Sequence, residues 1–109
     1  MSSGKFQSSV MTREDLREPK DYDVVFHNDN VTTMDFVVSV LRSVFYKSQS
    51  DAVQLMLMVH NSGSATIGTY SYDIAKTKSE HVMKLALEQG FPLQVTVVPN
   101  NDDDVSLPF

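Results

Sequence analysis

The chain has 109 residues, 41% of them apolar and 21% charged, which suits one small soluble domain around a single core. A formal net charge of −5 argues against wrapping polyanions, because phosphate binding draws on clustered Lys and Arg, and the absence of cysteine excludes disulfides, thiol catalysis and zinc–thiolate sites. No window approaches the ~20 apolar residues of a membrane span.

The first ten residues lack the apolar run of a secretory signal, and Glu14, Asp15 and Glu18 are out of place in a transit peptide, so the chain reads as unprocessed and cytoplasmic. Residues 1–21 are polar and mixed in charge, with Pro19 near their end. They hold no sustained periodicity, and a flexible arm is expected there.

Val24, Val25 and Phe26 form a short β-branched and aromatic run, the expected first strand. The polar cluster Asn28, Asp29, Asn30 then interrupts it as a loop rich in side-chain oxygens. Met34, Val37, Val38, Leu41, Val44 and Phe45 follow as one stripe of an amphipathic helix, which Thr32 or Thr33 can cap and whose dipole Asp35 complements.

Ser48-Gln49-Ser50-Asp51 resembles a capping box and should open a second helix, with Ala52, Leu55, Met56 and Val59 inward and Asn61-Ser62-Gly63-Ser64 as its end. Ala65 to Tyr70 suits a strand, within which Gly68 suggests a bulge or a close backbone approach. Ser71 can cap a third helix reaching about Gln89, with Ile74, Ala75, Val82, Leu85 and Ala86 inward and Gly90 as its stop.

Pro92-Leu93 leads into a last strand over Gln94 to Val98, with Val95 and Val97 on one face, and residues 100–109 read as an acidic, solvated tail. The order is β-α-α-β-α-β. It predicts an α+β fold, a three-stranded sheet with three helices packed on one side, over a core domain of residues 22–99.

Folding the second helix back would set His60 beside Asp29, joining a carboxylate, an amide and an imidazole to an apolar wall. Each residue also has a plainer reading: Asp29 as a turn former, His60 as a helix-end cation, the methionines as core filler and Leu93 as an anchor of the last strand. His27 and His81 have no evident partner.

Four blocks carry a resemblance. They are His27-Asn28-Asp29-Asn30-Val31-Thr32-Thr33-Met34-Asp35-Phe36, Leu55-Met56-Leu57-Met58-Val59-His60, Ala75-Lys76-Thr77-Lys78 and Phe91-Pro92-Leu93-Gln94-Val95. In this order and spacing, over roughly Tyr22 to Pro99, they resemble the ClpS adaptor family. That family usually shows Asn-Asp-Asp-x-Thr-Pro-Met-Glu-Phe in the first block; here Asn30 stands for the second Asp and Thr33 for the Pro.

The resemblance implies an adaptor that binds N-degrons beginning with Leu, Phe, Tyr or Trp and passes them to the ClpAP protease. It implies that Asn28, Asp29 and His60 hold the α-amine, that Met34 borders a pocket walled by Thr32, Met56, Val59 and Leu93, and that Asn30 lies at its edge. Asp73 and Lys78 match positions that the family uses against the ClpA-type unfoldase, which works with ClpP, and the N-terminal arm would take part in delivery. No cofactor or metal is implied, and a monomer is the default.

The chemistry agrees with such a ligand. A peptide α-amine has a pKa of about 8 and is mostly an ammonium with three donors near neutrality. Asp29 offers charge, Asn28 an amide oxygen and a neutral His60 one ring nitrogen. An apolar pocket adds roughly 1.5 to 3 kcal/mol for a large side chain.

Two other readings compete. A small hydrolase would pair Asp29 with His60 and use Ser62 or Ser64 as nucleophile, but no Gly-x-Ser-x-Gly elbow or His-Glu-x-x-His pair accompanies them. A docking module of the same fold, without amine recognition, is the other, and the missing charge at Asn30 leaves room for it.

Overall fold

The computed structural model describes residues 21–100. The expected arm and tail lie outside the described residues, apart from Asp21 and Asn100. Six elements follow in the expected order: β1 (Tyr22–His27), α1 (Met34–Ser43), α2 (Gln49–Ser62), β2 (Ser64–Tyr70), α3 (Tyr72–Glu88) and β3 (Gln94–Pro99).

The sheet order is β2-β1-β3, with β1 antiparallel to both neighbours. The two edge strands are therefore parallel to one another, and α3 crosses the sheet between them and packs against all three strands. On β1 the two-residue alternation buries Val24 and Phe26 completely. They meet Ala65 and Ile67 of β2, Val95 of β3 and the inner faces of the helices in one core.

In α1 the buried face is Val37, Val40 and Leu41, so the stripe runs through Val40 rather than through the half-buried Val38. Met34, expected inward, is 44% exposed at the first turn. Val44 and Phe45 are buried as expected, but beyond the helix end. There the Lys47 N–H reaches back to the Leu41 carbonyl at 3.0 Å, and Tyr46 takes the left-handed φ of 57°. Phe45 is thereby set edge-on to Phe26, with ring centroids 5.7 Å apart.

Ser48 caps α2 by accepting the Asp51 N–H at 3.0 Å, and Gly63 closes the helix with φ 92°, where an L side chain would be strained. In β2, Val24 pairs with Gly68 and Val25 with Thr66, so Ile67 is the extra residue of a β-bulge. At Gly68 the close neighbour is a side chain rather than another backbone: the Tyr70 ring lies over it, and an added Cβ would come 2.5 Å from Oη.

Two expectations for α3 are corrected. Ile74 is 49% exposed rather than inward, and Ser71, although extended at the N-cap, makes no capping bond through its side chain. The buried polar residue of this helix is Ser79, satisfied by donating its hydroxyl to the Ala75 carbonyl at 2.7 Å. Among the described residues, no helix is long and apolar enough to cross a membrane.

Candidate functional site

Strand β1 ends at His27, which pairs with Ser64 of β2, and the next residue continues the tie: the Asn28 N–H donates to the Gly63 carbonyl at 2.9 Å. The polar loop is thus bound to the C-terminus of α2, whose last turn carries His60. As a result Asn28, Asp29, Asn30, Thr32, Met34, Val37, Met56, Val59 and His60 line one cavity of about 220 Å³. The loop and His60 give it a polar side, while Met34 and Val37 of α1 and Met56 and Val59 of α2 give it an apolar wall.

That volume lies below the ~300–1,000 Å³ of sites for drug-sized molecules and suits a single bulky side chain. Val37 was not foreseen on the wall. Its signal was its place one turn after Met34, which sets both on the same helix face. Leu93, expected on the wall, is 5% exposed within the core and does not belong to this lining. It packs in the core just before the start of β3.

The Asp29 carboxylate organises the loop. Oδ1 accepts the N–H groups of Val31 and Thr32, both at 2.7 Å, and Oδ2 accepts the Thr32 hydroxyl at 2.7 Å. Burial pushes its carboxyl up, but the bonds from the Thr32 N–H, the Thr32 hydroxyl and the Val31 N–H together outweigh that and hold it below the ordinary carboxylate value. An ionised carboxylate offers about four lone-pair directions, and three are taken.

The next threonine has a different task. Thr33, extended at φ −79°, accepts the Phe36 N–H at 3.1 Å and is the N-cap of α1. His60 and Asn28 are exposed on the rim of the cavity. Ser62 and Ser64, the serines of the hydrolase reading, are exposed and stand off the lining. Among the described residues no group of three His, Cys, Asp or Glu is placed to hold a metal ion.

Comparison with known proteins matches residues 17–96 to the family described as ATP-dependent Clp protease adaptor protein ClpS. Relatives bearing the name ATP-dependent Clp protease adapter protein ClpS include that of Myxococcus xanthus, 47% identical over 84% of this chain and 90% of its own length. That of Acetivibrio thermocellus is 47% identical over 81% of this chain and 89% of its own length. The chain belongs to the ClpS family.

A solved ClpS structure, Agrobacterium tumefaciens ClpS2 bound to L-phenylalaninamide, is 38% identical and aligns with a TM-score of 0.73 over 76% of this chain and 100% of that one. The α+β fold is therefore a ClpS fold, and the family is one of adaptors of the ATP-dependent Clp protease, not of catalysts.

The residues that the ClpS resemblance linked to an unfoldase sit on α3, away from the cavity. Asp73 is exposed in its first turn. Lys78 is half-buried: Nζ donates to the Val44 carbonyl at 2.8 Å and lies 5.6, 5.0 and 5.6 Å from the ring centroids of Phe45, Tyr46 and Tyr70. It clips α3 to the end of α1. His27, for which the sequence offered no partner, is 2.8 Å from the Thr96 hydroxyl through Nε2 across β1 and β3. His81 is exposed.

Proposed function

We propose that this ClpS family member is an N-degron adaptor, taking the free α-amine and bulky first side chain of a substrate into the cavity between the Asn28–Thr32 loop and the α1–α2 wall. The observation that carries this is the union, in one 220 Å³ cavity, of the oxygen-rich loop and His60 with Met34, Val37, Met56 and Val59. The ammonium would meet Asn28, Asp29 and His60, and the side chain would enter among the apolar residues. The related Agrobacterium ClpS2 was solved with L-phenylalaninamide, which pairs a free α-amine with a phenyl group.

Delivery follows to a ClpA-type AAA+ unfoldase working with ClpP, in the cytoplasm and from a monomeric adaptor, with Asp73 and Lys78 on the docking side. Degradation of a reporter by reconstituted unfoldase and ClpP tests this. A reporter starting with Phe or Leu should be degraded faster when the adaptor is present, and one starting with Gly should not. Equal stimulation of both would favour a docking module without amine recognition.

A further inference from the structure

Two adjacent threonines divide the work of the loop. Thr33 Oγ1 accepts the Phe36 N–H and caps α1, which leaves the Thr32 hydroxyl free for another partner, and that partner is Asp29 Oδ2 at 2.7 Å. The Thr32 N–H simultaneously donates to Oδ1 at 2.7 Å. One residue thus grips both oxygens of the carboxylate, and it does so while lining the cavity.

We infer that Thr32 is a positioning residue: its hydroxyl sets the Asp29 carboxylate so that a single acceptor direction on Oδ2 is left for the ligand's ammonium. This rests on the reading of the cavity as a pocket for an α-amine and a side chain. Oδ1 has both of its lone pairs filled, by Val31 and Thr32, so it contributes charge but no directed bond to a ligand. Oδ2 keeps one. Three ammonium hydrogens then find one acceptor each on Asn28, Asp29 and His60, and the direction of the Asp29 contact is set by the hydroxyl that occupies the other side of Oδ2.

Valine is close in shape to threonine but places a methyl group where the hydroxyl stood, facing Oδ2 with nothing to donate. The carboxylate then keeps its two N–H bonds on Oδ1 but loses the donor on Oδ2, so the direction of its remaining acceptor is no longer set and its charge is less stabilised. Serine keeps the hydroxyl. The pair Thr32→Val and Thr32→Ser therefore separates the hydroxyl from the wall that the methyl provides.

The test titrates wild type, Thr32→Val, Thr32→Ser and Asp29→Asn with a peptide starting with Phe and with its Nα-acetylated form, while the carbon NMR shift of the Asp29 carboxyl is followed against pH. Thr32→Val should lose about ten-fold in affinity for the free-amine peptide, and Thr32→Ser should stay within about three-fold of wild type. The Asp29 carboxyl should titrate at higher pH in Thr32→Val than in wild type or Thr32→Ser, a change that loss of wall contact would not produce. Should Thr32→Val fail to fold, Thr32→Ala takes its place against Thr32→Ser. Wild-type affinity in Thr32→Val together with weakened binding in Asp29→Asn overturns the role of Thr32 and leaves the amine reading standing. If wild type itself binds free and acetylated peptides alike, the amine reading fails, and the role of Thr32 with it.

Discussion

The Asn28 N–H donates to the Gly63 carbonyl at 2.9 Å, and this bond joins the first residue of the polar loop to the glycine that ends α2. Gly63 holds φ 92° with open space around it, so a Cβ there would meet strain but no clash. Gly63→Ala should lower stability by about 1–2 kcal/mol, read as a drop in the urea midpoint. Peptide binding should weaken as well, because Asn28 and the last turn of α2 lose their common anchor. An unchanged midpoint would mean that the α2 terminus relaxes into another cap.

His60 lines the cavity beside the oxygen-rich loop, and a ring nitrogen there can accept one hydrogen of an ammonium. His60→Ala should lower affinity for a Phe-initiated peptide about ten-fold, measured by calorimetry, while the urea midpoint stays close to that of wild type. Unchanged affinity in a folded His60→Ala would remove His60 from the amine contacts.

Stability has a definite sign at low pH. A folded-state pKa depressed below the unfolded value means that Asp29 contributes stability above about pH 4, and that this contribution is lost as pH falls through the folded value. The midpoint difference between wild type and Asp29→Asn should therefore shrink below about pH 4. A difference that persists unchanged under acid would place the loop's stability elsewhere than in its ionised carboxylate.

Thr33 stands where the ClpS family usually has proline, and its φ of −79° lies within the range that proline adopts. Thr33→Pro should therefore be accommodated. Loss of the bond to the Phe36 N–H costs about 1 kcal/mol, and the stiffer unfolded chain returns about 0.4–1 kcal/mol. The melting temperature should move by only a few degrees; a large fall would show that the cap is indispensable here.

Lys78 gives up a hydrogen bond to the Val44 carbonyl and contacts with three rings if it is shortened. Lys78→Ala should cost about 1–2 kcal/mol in denaturant unfolding while leaving peptide affinity unchanged, because it lies off the cavity. Stimulation of degradation should fall. Unaltered delivery by a folded Lys78→Ala would leave Asp73 without its companion on the docking face.

Much of the fold was legible because periodicity is a local property. The β-branched and aromatic run Val24-Val25-Phe26, the stripe through Val37 and Leu41, and the glycines at 63 and 90 placed the elements in order. Gly68 pointed to the bulge at Ile67. Misreadings fell where tertiary geometry decides: Val40 and Val38 are equally apolar, and only the direction of packing on α2 separates them. Ile74 fits a helical stripe but lies near the start of α3, where its face of the helix is open.

The candidate site was legible in part for the same reason. The loop and His60 could be named from residue type, and the structure brings them to one cavity. The sequence could not show that Asp29 is already engaged three times by its own loop, because that depends on backbone directions at Val31 and Thr32. Nor could it decide which of two adjacent threonines caps α1. Leu93 follows a proline, and nothing local distinguishes a side chain turned to the core from one turned to the pocket.

A cavity that takes a free α-amine and a bulky side chain together must distinguish three peptides in calorimetric titration of the full chain: one starting with Phe, its Nα-acetylated form and the Gly-initiated counterpart. Removing the ammonium's three contacts by acetylation should cost about a hundred-fold or more, and replacing Phe with Gly about ten-fold or more. Equal affinity for all three peptides would mean that the cavity recognises neither the amine nor the side chain.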